Sequence, residues 1–445
     1  MEGSAIYVNP IGMAFTTCMA ILLIMLPRRY ATLPIMMIGC YMTLGQLVYL
    51  APFHFSMMRI MILIGFIRVI IRRELKSIKL NALDKGLSAW VISAFLIYNM
   101  REQNTDALVY RLGQAYNALG LYFLFRLLIR DYQDILNTVK MLAIIAIPLS
   151  VTMLNEKMTG RNMFSIFGGV DEFVVIRDGV LRCQGPFRHP ILAGTFGATV
   201  MPLCVGLFMQ GRAKTLPILG FCAATMITIT SASSGPALSY MAGLIAFGAW
   251  PLRAHMRAVR WGIVIVLATL HIVMTAPVWY LMSKVSGIIG GTGWHRSELI
   301  TQAINHIDEW WLWGTNYTAH WMPYTLTINP DETDITNQYI FEGVNGGIIS
   351  MIMFIIMIAL SFRIVGDKIK RCEKQGGAEQ YVVWGIGAAL FVHIVTFMSV
   401  TYFDQMIVFW FLLLAMIASF ENDHNSALTS AHIRPGAVSS DSSKN

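Results

Sequence analysis

Apolar residues along this chain gather into long runs separated by short polar turns. A helix needs about 20 apolar residues to cross the hydrocarbon core of a bilayer. By that measure the runs near 8–26, 31–51, 56–71, 86–100, 107–128 and 134–154 predict six crossings. Those near 190–209, 215–231, 236–251, 261–281, 346–363, 381–400 and 404–420 predict seven more, thirteen in all. The most polar are 56–71, with Arg59 and Arg68, and 107–128, with Arg111, Gln114 and Asn117. Two stretches, 155–189 and 282–345, break the rhythm of short turns. Connections that long are usually functional or disordered. Trp294, Trp310, Trp311, Trp313 and Trp321 in the second favour a folded or interfacial element. From about Glu421 the chain turns polar and Ser-rich, which predicts a disordered tail.

The expectation is therefore an all-α integral membrane protein of about 12–13 transmembrane helices with two larger loops. Its divisions are N-terminal helices over 1–154, a first loop at 155–189 and central helices over 190–281. A large loop at 282–345, C-terminal helices over 346–420 and a tail at 421–445 follow.

Composition agrees. Hydrophobic residues make up 56% of the 445 and charged residues 13%, with a mean hydropathy of +0.59. A soluble domain carries about a quarter charged residues. The net charge of +8 does not signal nucleic acid, because the basic residues sit in short turns and form no aromatic-interleaved stripe. The six Cys are scattered without CxxC spacing, so no disulfide or metal framework is expected. The first apolar run lacks a basic n-region and a small-residue cleavage site, so no cleavable signal is expected.

Lys and Arg in short loops set orientation. Alternating through thirteen spans, nineteen basic residues fall on one side and nine on the other. The rich side includes Arg72, Arg73, Lys76, Lys79 and Lys85, and later Arg363, Lys368, Lys370, Arg371 and Lys374. That side is expected to be cytoplasmic, which puts both long loops outside and the C-terminal tail inside.

The first loop ends in LRCQGPFRHPILAG (181–194) and runs straight into an apolar helix. Arg182, Arg188 and His189 thus lie where the chain enters the bilayer, and cations there are costly unless paired, hydrated or serving an anion. Pro190 suits a first helical turn, whose free N–H groups favour an anion. The planar fork of Arg fits phosphate better than Lys does. The alternative is that these arginines snorkel to lipid headgroups.

The second loop opens GGTGWHRSELITQAI (290–304), where Leu299, Ile300, Ala303, Ile304 and Ile307 have amphipathic spacing. Arg296 stands near the start of that helix. Any of its acids (Glu298, Asp308, Glu309, Asp331, Glu332, Asp334) is a candidate general base, though most acids in such a loop are simply solvated. His295, His306 and His320 lack the HExxH spacing of a zinc helix, so no metal is expected. Asn337 and Tyr339 are candidates for bonding sugar hydroxyls; an interfacial aromatic belt explains Tyr339 and most of the tryptophans as well. TSASSGPAL (230–238) suits close helix packing or a break at membrane depth. No GxSxG elbow surrounds Ser233 or Ser234, which argues against a serine hydrolase.

In order, these pieces resemble the O-antigen ligase and Wzy-type polysaccharide polymerase superfamily. The string Arg182-x-x-Gly185-x-x-x-His189-Pro190-x-x-Ala193 is similar to its R-x-x-G-x-x-x-H-P signature. Ser233-Ser234-Gly235 follows, then Arg296 opening the second loop and the stretch WWLWGTN. Thr336-Asn337-Gln338-Tyr339-Ile340 and Gly346-Gly347 close the series. The likeness covers about 180–365. It departs at Thr336, where the family has His, and at Ser234, where Arg is more frequent.

The resemblance implies a GT-C-like membrane glycosyltransferase: metal-independent, cofactor-free and inverting, working at the periplasmic face of a bacterial inner membrane. Its donor would be an oligosaccharide on undecaprenyl pyrophosphate. Arg182 and Arg296 would engage the pyrophosphate, and Arg188 and His189 would shape the loop around it. Thr336 cannot serve as a base near neutral pH, which leaves Asp334, or His320, to activate the acceptor hydroxyl. The expected activity is polymerisation of lipid-linked repeat units into a surface or exopolysaccharide, alongside membrane lipid, a flippase and a chain-length regulator as partners. The rivals are a ligase that moves a finished glycan to a lipid A-core, and a non-catalytic transporter or flippase. A transporter predicts midplane charges, for which Lys140 and Arg68 are the candidates.

Overall fold

Helix starts follow the capping chemistry of the sequence. A computed structural model describes residues 8–43, 46–50, 53–75, 78–211, 213–289, 293–322 and 332–432. Asn9, Ser56, Asn104 and Asp131 each accept a backbone N–H at the start of α1 (Pro10–Met25), α3 (Met57–Ile71), α5 (Thr105–Leu128) and α6 (Tyr132–Thr159). Between the first two lies α2 (Thr32–Tyr41). Asn81 and Asp84 cap α4 (Ala82–Glu102) reciprocally. The central helices are α7 (Pro190–Gln210), α8 (Thr215–Thr230), α9 (Ser234–Gly248) and α10 (Met256–Val273). The second long connection holds α11 (Leu281–Ile289), α12 (Gly293–Asn305) and α13 (Ile307–Trp310). The chain closes with α14 (Gln338–Gln375), α15 (Gln380–Phe397) and α16 (Gln405–His432).

The structure is 77% helical. Among the described residues, five helical segments are long and apolar enough to cross a membrane: Tyr132–Thr159, Pro190–Gln210, Trp250–Val273, Gln338–Gln375 and Gln380–Phe397. Three shorter ones are comparably apolar, Pro10–Met25, Thr215–Thr230 and Gln405–Glu421. α7 runs through the middle of the assembly, packed on α6, α8, α9 and α15. It passes close to α15 because Gly206 lets the carbonyl of Tyr381 approach to where a Cβ would stand, 2.6 Å away. α10 is the opposite case: none of its residues is buried.

Each expected span falls at least in part on a helix, but 31–51 does not hold as one crossing. α2 stops at Tyr41, after ten residues or about 15 Å. Residues beyond it form the antiparallel pair β1 (Leu47–Leu50) and β2 (Phe53–Ser56). Gln46 sits buried at the break and bonds Thr43 Oγ1 at 3.1 Å and the carbonyl of Phe167. Val48, Tyr49, Phe53 and Phe55, which help to make 47–55 apolar, suit a strand as well as a helix. At the other end, α16 continues to His432, past the expected boundary at 421. The rest of the expected tail, 433–445, lies outside the described residues.

Two cations inside the helical core are paired with acids. Asp84 accepts from Arg126 at 2.9 and 3.0 Å and from Tyr122 at 2.6 Å, with both ionic side chains fully buried. Ser419 joins this group to α16. Arg68, expected as a transporter's midplane charge, is buried and held by Glu74 at 2.9 and 3.1 Å. Lys140 is half-buried.

α14 is broken inside. Gly346 and Gly347 leave helical geometry, and Gly347 has φ +67°. The stretch WWLWGTN docks on the break: Trp311 accepts from Ile348 N at 2.8 Å, and Thr315 N donates to Val344 at 2.9 Å. A Cβ at 347 would overlap the carbonyl of Leu312. Trp310 and Trp321 are buried in a small second core with Leu299, Ala303 and Ile340, while Trp294, Trp311 and Trp313 are exposed. So two of the five tryptophans are core residues of this connection rather than belt residues. Tyr339 departs from the belt reading too, packing edge-on against Phe354 and Phe397.

Candidate functional site

The first long connection is anchored from below by an acid. Glu156, near the end of α6, accepts from Gln184 N at 2.9 Å and Gly185 N at 2.8 Å. Gly185 is left-handed at φ +57°, and its carbonyl accepts from Asn162 at 2.6 Å. Cys183 N donates to Thr230 at 3.1 Å. The Arg-Cys-Gln-Gly run is thereby fixed against the end of α8. Arg182 emerges from it as the last residue of the antiparallel pair β3 (Val175–Arg177) and β4 (Val180–Arg182).

Its guanidinium meets the turn between α8 and α9. Arg182 Nη2 donates to Ser233 Oγ at 2.9 Å, and Ser233 Oγ donates onward to Ser231 O at 3.1 Å. Arg296, from α12, comes to the same turn from the other long connection. Its Nε donates to Ser399 O at 3.1 Å, and its Nη2 lies 3.6 Å from where a Cβ on Gly235 would stand. The sequence motif Ser233-Ser234-Gly235 is thus where two arginines more than a hundred residues apart converge.

Both guanidinium groups are buried, at 9% and 6% exposed, and neither is in an ion pair among the described residues. Arg182 Nε has no hydrogen-bond partner among the described residues. Burial first, then Arg177, lowers the pKa of Arg182; burial, Arg177 and Arg182 lower that of Arg296. Arginine stays protonated regardless, so the turn holds two buried cations with no acid paired to either among the described residues. The group that suits them best is a multivalent anion accepting from two forks.

His189 caps α7, with Nδ1 accepting from Ile191 N at 3.1 Å and Pro190 at the first position. Burial and then Arg182 and Arg177 lower its pKa to about 4. Neutral with Nδ1 as acceptor, it carries its proton on Nε2. One of the helix N–H groups expected to be free for an anion is thereby already taken. Arg188 is mostly exposed and pairs with Asp404 at 3.5 Å. Asp404 has its own pKa raised by burial, against the pull of Arg188.

Asp404 also lines a cavity of about 700 Å³ between α4, α5, α14 and the start of α16. Arg111, Gln114 and Asn117, the residues that make 107–128 a poor membrane span, all line it. Tyr98 stacks under the Arg111 guanidinium at 3.7 Å, and Asn345 accepts from that group. Glu342 accepts from Trp90 Nε1 at 3.0 Å and Gln338 at 2.7 Å. Asp334 lines the same cavity with an exposed side chain. Sequence reasoning missed Glu342, Trp90 and Tyr98. The signal was the polar triplet at 111, 114 and 117, whose spacing marks one helix face.

The remaining expected residues are placed less favourably. Asn337 is buried and caps α14, accepting from Tyr339 N at 3.0 Å and Ile340 N at 3.2 Å. The Tyr339 hydroxyl donates to Ile394 O at 3.4 Å. Thr336, where the resemblance expects His, has a buried Oγ1 without a partner. His320 bonds Glu309 rather than any residue of the arginine cluster. A scan of family models and a search of curated proteins each return no match to this chain.

Proposed function

We propose that this protein is a membrane glycosyltransferase that polymerises lipid-pyrophosphate-linked oligosaccharides at the outer face of a bacterial inner membrane. The observation that carries the reading is the convergence of buried, acid-free Arg182 and Arg296 on the Ser233–Gly235 turn. Two forks from separate segments suit a pyrophosphate, which offers acceptor oxygens on two phosphorus centres. The cavity between α4, α5, α14 and the start of α16, with carboxylates, amides and aromatic rings, has the chemistry that sugar hydroxyls and ring faces require.

In the proposed reaction an acceptor sugar hydroxyl attacks the anomeric carbon of the donor. The bond from that carbon to the phosphate oxygen breaks, its electron pair leaves on the pyrophosphate, and the configuration inverts. Arg182 and Arg296 stabilise the departing charge. The hydroxyl proton passes to the Asp334 carboxylate, which lines the cavity without a hydrogen-bond partner among the described residues. Glu342 is less suited, because both its oxygens already accept bonds. Asp404, which pairs with Arg188, lines the same cavity, and the lipid tail of the donor stays in the bilayer.

Deletion of the gene tests the reading. A polymerase deletion leaves single lipid-linked repeat units; intact lipid-linked polymer lacking attachment would instead identify a ligase, and unchanged glycan would set both aside.

A further inference from the structure

His306, Glu309 and His320 come together on the second long connection, apart from the arginine cluster. His306 Nδ1 and His320 Nε2 each lie 2.9 Å from the same oxygen, Glu309 Oε1. All three atoms fall within 4.8 Å of one another. The sequence conceals this. Residues 306 and 309 share one turn, whereas His320 arrives on a separate turn, Ala319–Trp321, so the ligands do not follow the spacing of a single metal-binding helix.

The surroundings orient each donor. Trp321 Nε1 donates to Glu309 Oε2 at 3.0 Å, which turns Oε1 towards the two imidazoles. The His306 ring lies parallel to the Trp321 indole, 7° apart at 5.8 Å. The His320 ring stacks on Tyr317, at 15° and 5.0 Å. Trp321 itself is fixed in the small core with Trp310. Such outer partners, holding an imidazole or carboxylate at a set angle, are what metal ligands require.

We propose that His306, Glu309 and His320 bind one divalent cation of the zinc type, with a fourth coordination position open to the outer solution. Two imidazoles and one carboxylate favour zinc and its neighbours over magnesium or calcium, which prefer all-oxygen shells. Ligand atoms around a tetrahedral zinc stand about 3.4 Å apart, given bonds of about 2.1 Å, so the ion is admitted when Glu309 Oε1 draws back by about half an ångström and the two imidazole nitrogens, now within 4.8 Å, close towards each other. The cation would tie the turn at 306–309 to residue 320. The stretch it encloses includes the WWLWGTN segment, so binding would hold that segment against the Gly346–Gly347 break. No step of the proposed glycosyl transfer passes through this metal.

The test is zinc binding by the full-length protein in lipid nanodiscs, stripped with chelator and then dialysed against Zn²⁺. One equivalent per chain is expected, with a Kd at or below about 1 µM, not displaced by millimolar Ca²⁺ or Mg²⁺. E309Q and H320A should each weaken binding about a hundredfold or more, and H295A should not. Wild-type protein should also show zinc-dependent protection of His306 and His320 from diethyl pyrocarbonate, a readout that needs no variant. Failure of wild-type protein to take up stoichiometric zinc would overturn the proposal, and so would uptake unchanged in E309Q and H320A. In that event the cluster is a plain pair of His–Glu hydrogen bonds.

Discussion

Arg182 Nη2 donates to Ser233 Oγ at 2.9 Å, tying the end of a strand pair to the turn between α8 and α9. This bond fixes the direction in which Arg182 presents its remaining N–H groups. Ser233→Ala should therefore reduce polymer synthesis about tenfold to a hundredfold, the range for losing one hydrogen bond to a charged group. Protein accumulation in the membrane should stay near wild type, as read by immunoblot beside glycan gels.

Charge alone should not suffice at the two buried arginines. Arg182→Lys and Arg296→Lys keep the cation but lose the two-pronged geometry. Each should lower the rate about a hundredfold or more, on the scale seen when a single charge-stabilising donor is removed. Arg188→Ala is the contrast. Its side chain is 68% exposed and its only carboxylate partner among the described residues lies 3.5 Å away, so a loss under about fivefold is expected.

His189 supplies a pH signature. Its folded pKa of about 4 lies below the ordinary 6.5 because burial and then Arg182 and Arg177 disfavour the imidazolium. The unfolded chain thus takes up this proton first. The stabilisation it contributes is complete above about pH 6.5 and is lost as pH falls towards 4. Thermal denaturation should show wild-type protein weakening over that window more than His189→Asn, which keeps a capping oxygen but cannot titrate. His189→Ala should lose about 1 kcal/mol at neutral pH through the missing cap.

Gly347 carries the docking of the tryptophan-rich segment. At φ +67°, with the Leu312 carbonyl where a Cβ would be, Gly347→Ala meets both strain and overlap. A loss exceeding about 1–3 kcal/mol is expected, along with faster proteolysis between residues 310 and 320. Gly366→Ala, where nothing lies within 4 Å of the added carbon, should be near neutral.

How far the chain could be read in advance follows from which interactions are local. Helix positions were legible because apolar length is a local property, and the failure at 31–51 came where Val48 and the aromatic residues Tyr49, Phe53 and Phe55 made a strand pair equally apolar. Arg182 and Arg296 were legible as cations in places that disfavour them. Their meeting at Ser233–Gly235 was not, since it depends on how α8, α9 and α12 pack. The cavity left only the polar face of α5 as a trace. The His306–Glu309–His320 cluster left none, because its third member is supplied by a turn whose position the small tryptophan core decides. Asn337 is ambiguous in sequence for the reverse reason: a cap residue, which the structure shows it to be, and a ligand-binding amide look alike until the helix start is seen.

The most direct test of the central claim uses purified protein in nanodiscs with a lipid-pyrophosphate-linked repeat unit as sole substrate. Products are resolved on a gel for wild type, Arg182→Ala, Arg296→Ala and Asp334→Asn. Wild type should build a ladder of increasing length without added metal. Both arginine variants should leave the substrate unchanged, and Asp334→Asn should slow elongation about a hundredfold or more, as loss of a general base does. A ladder of wild-type length and rate from the arginine variants would contradict the account.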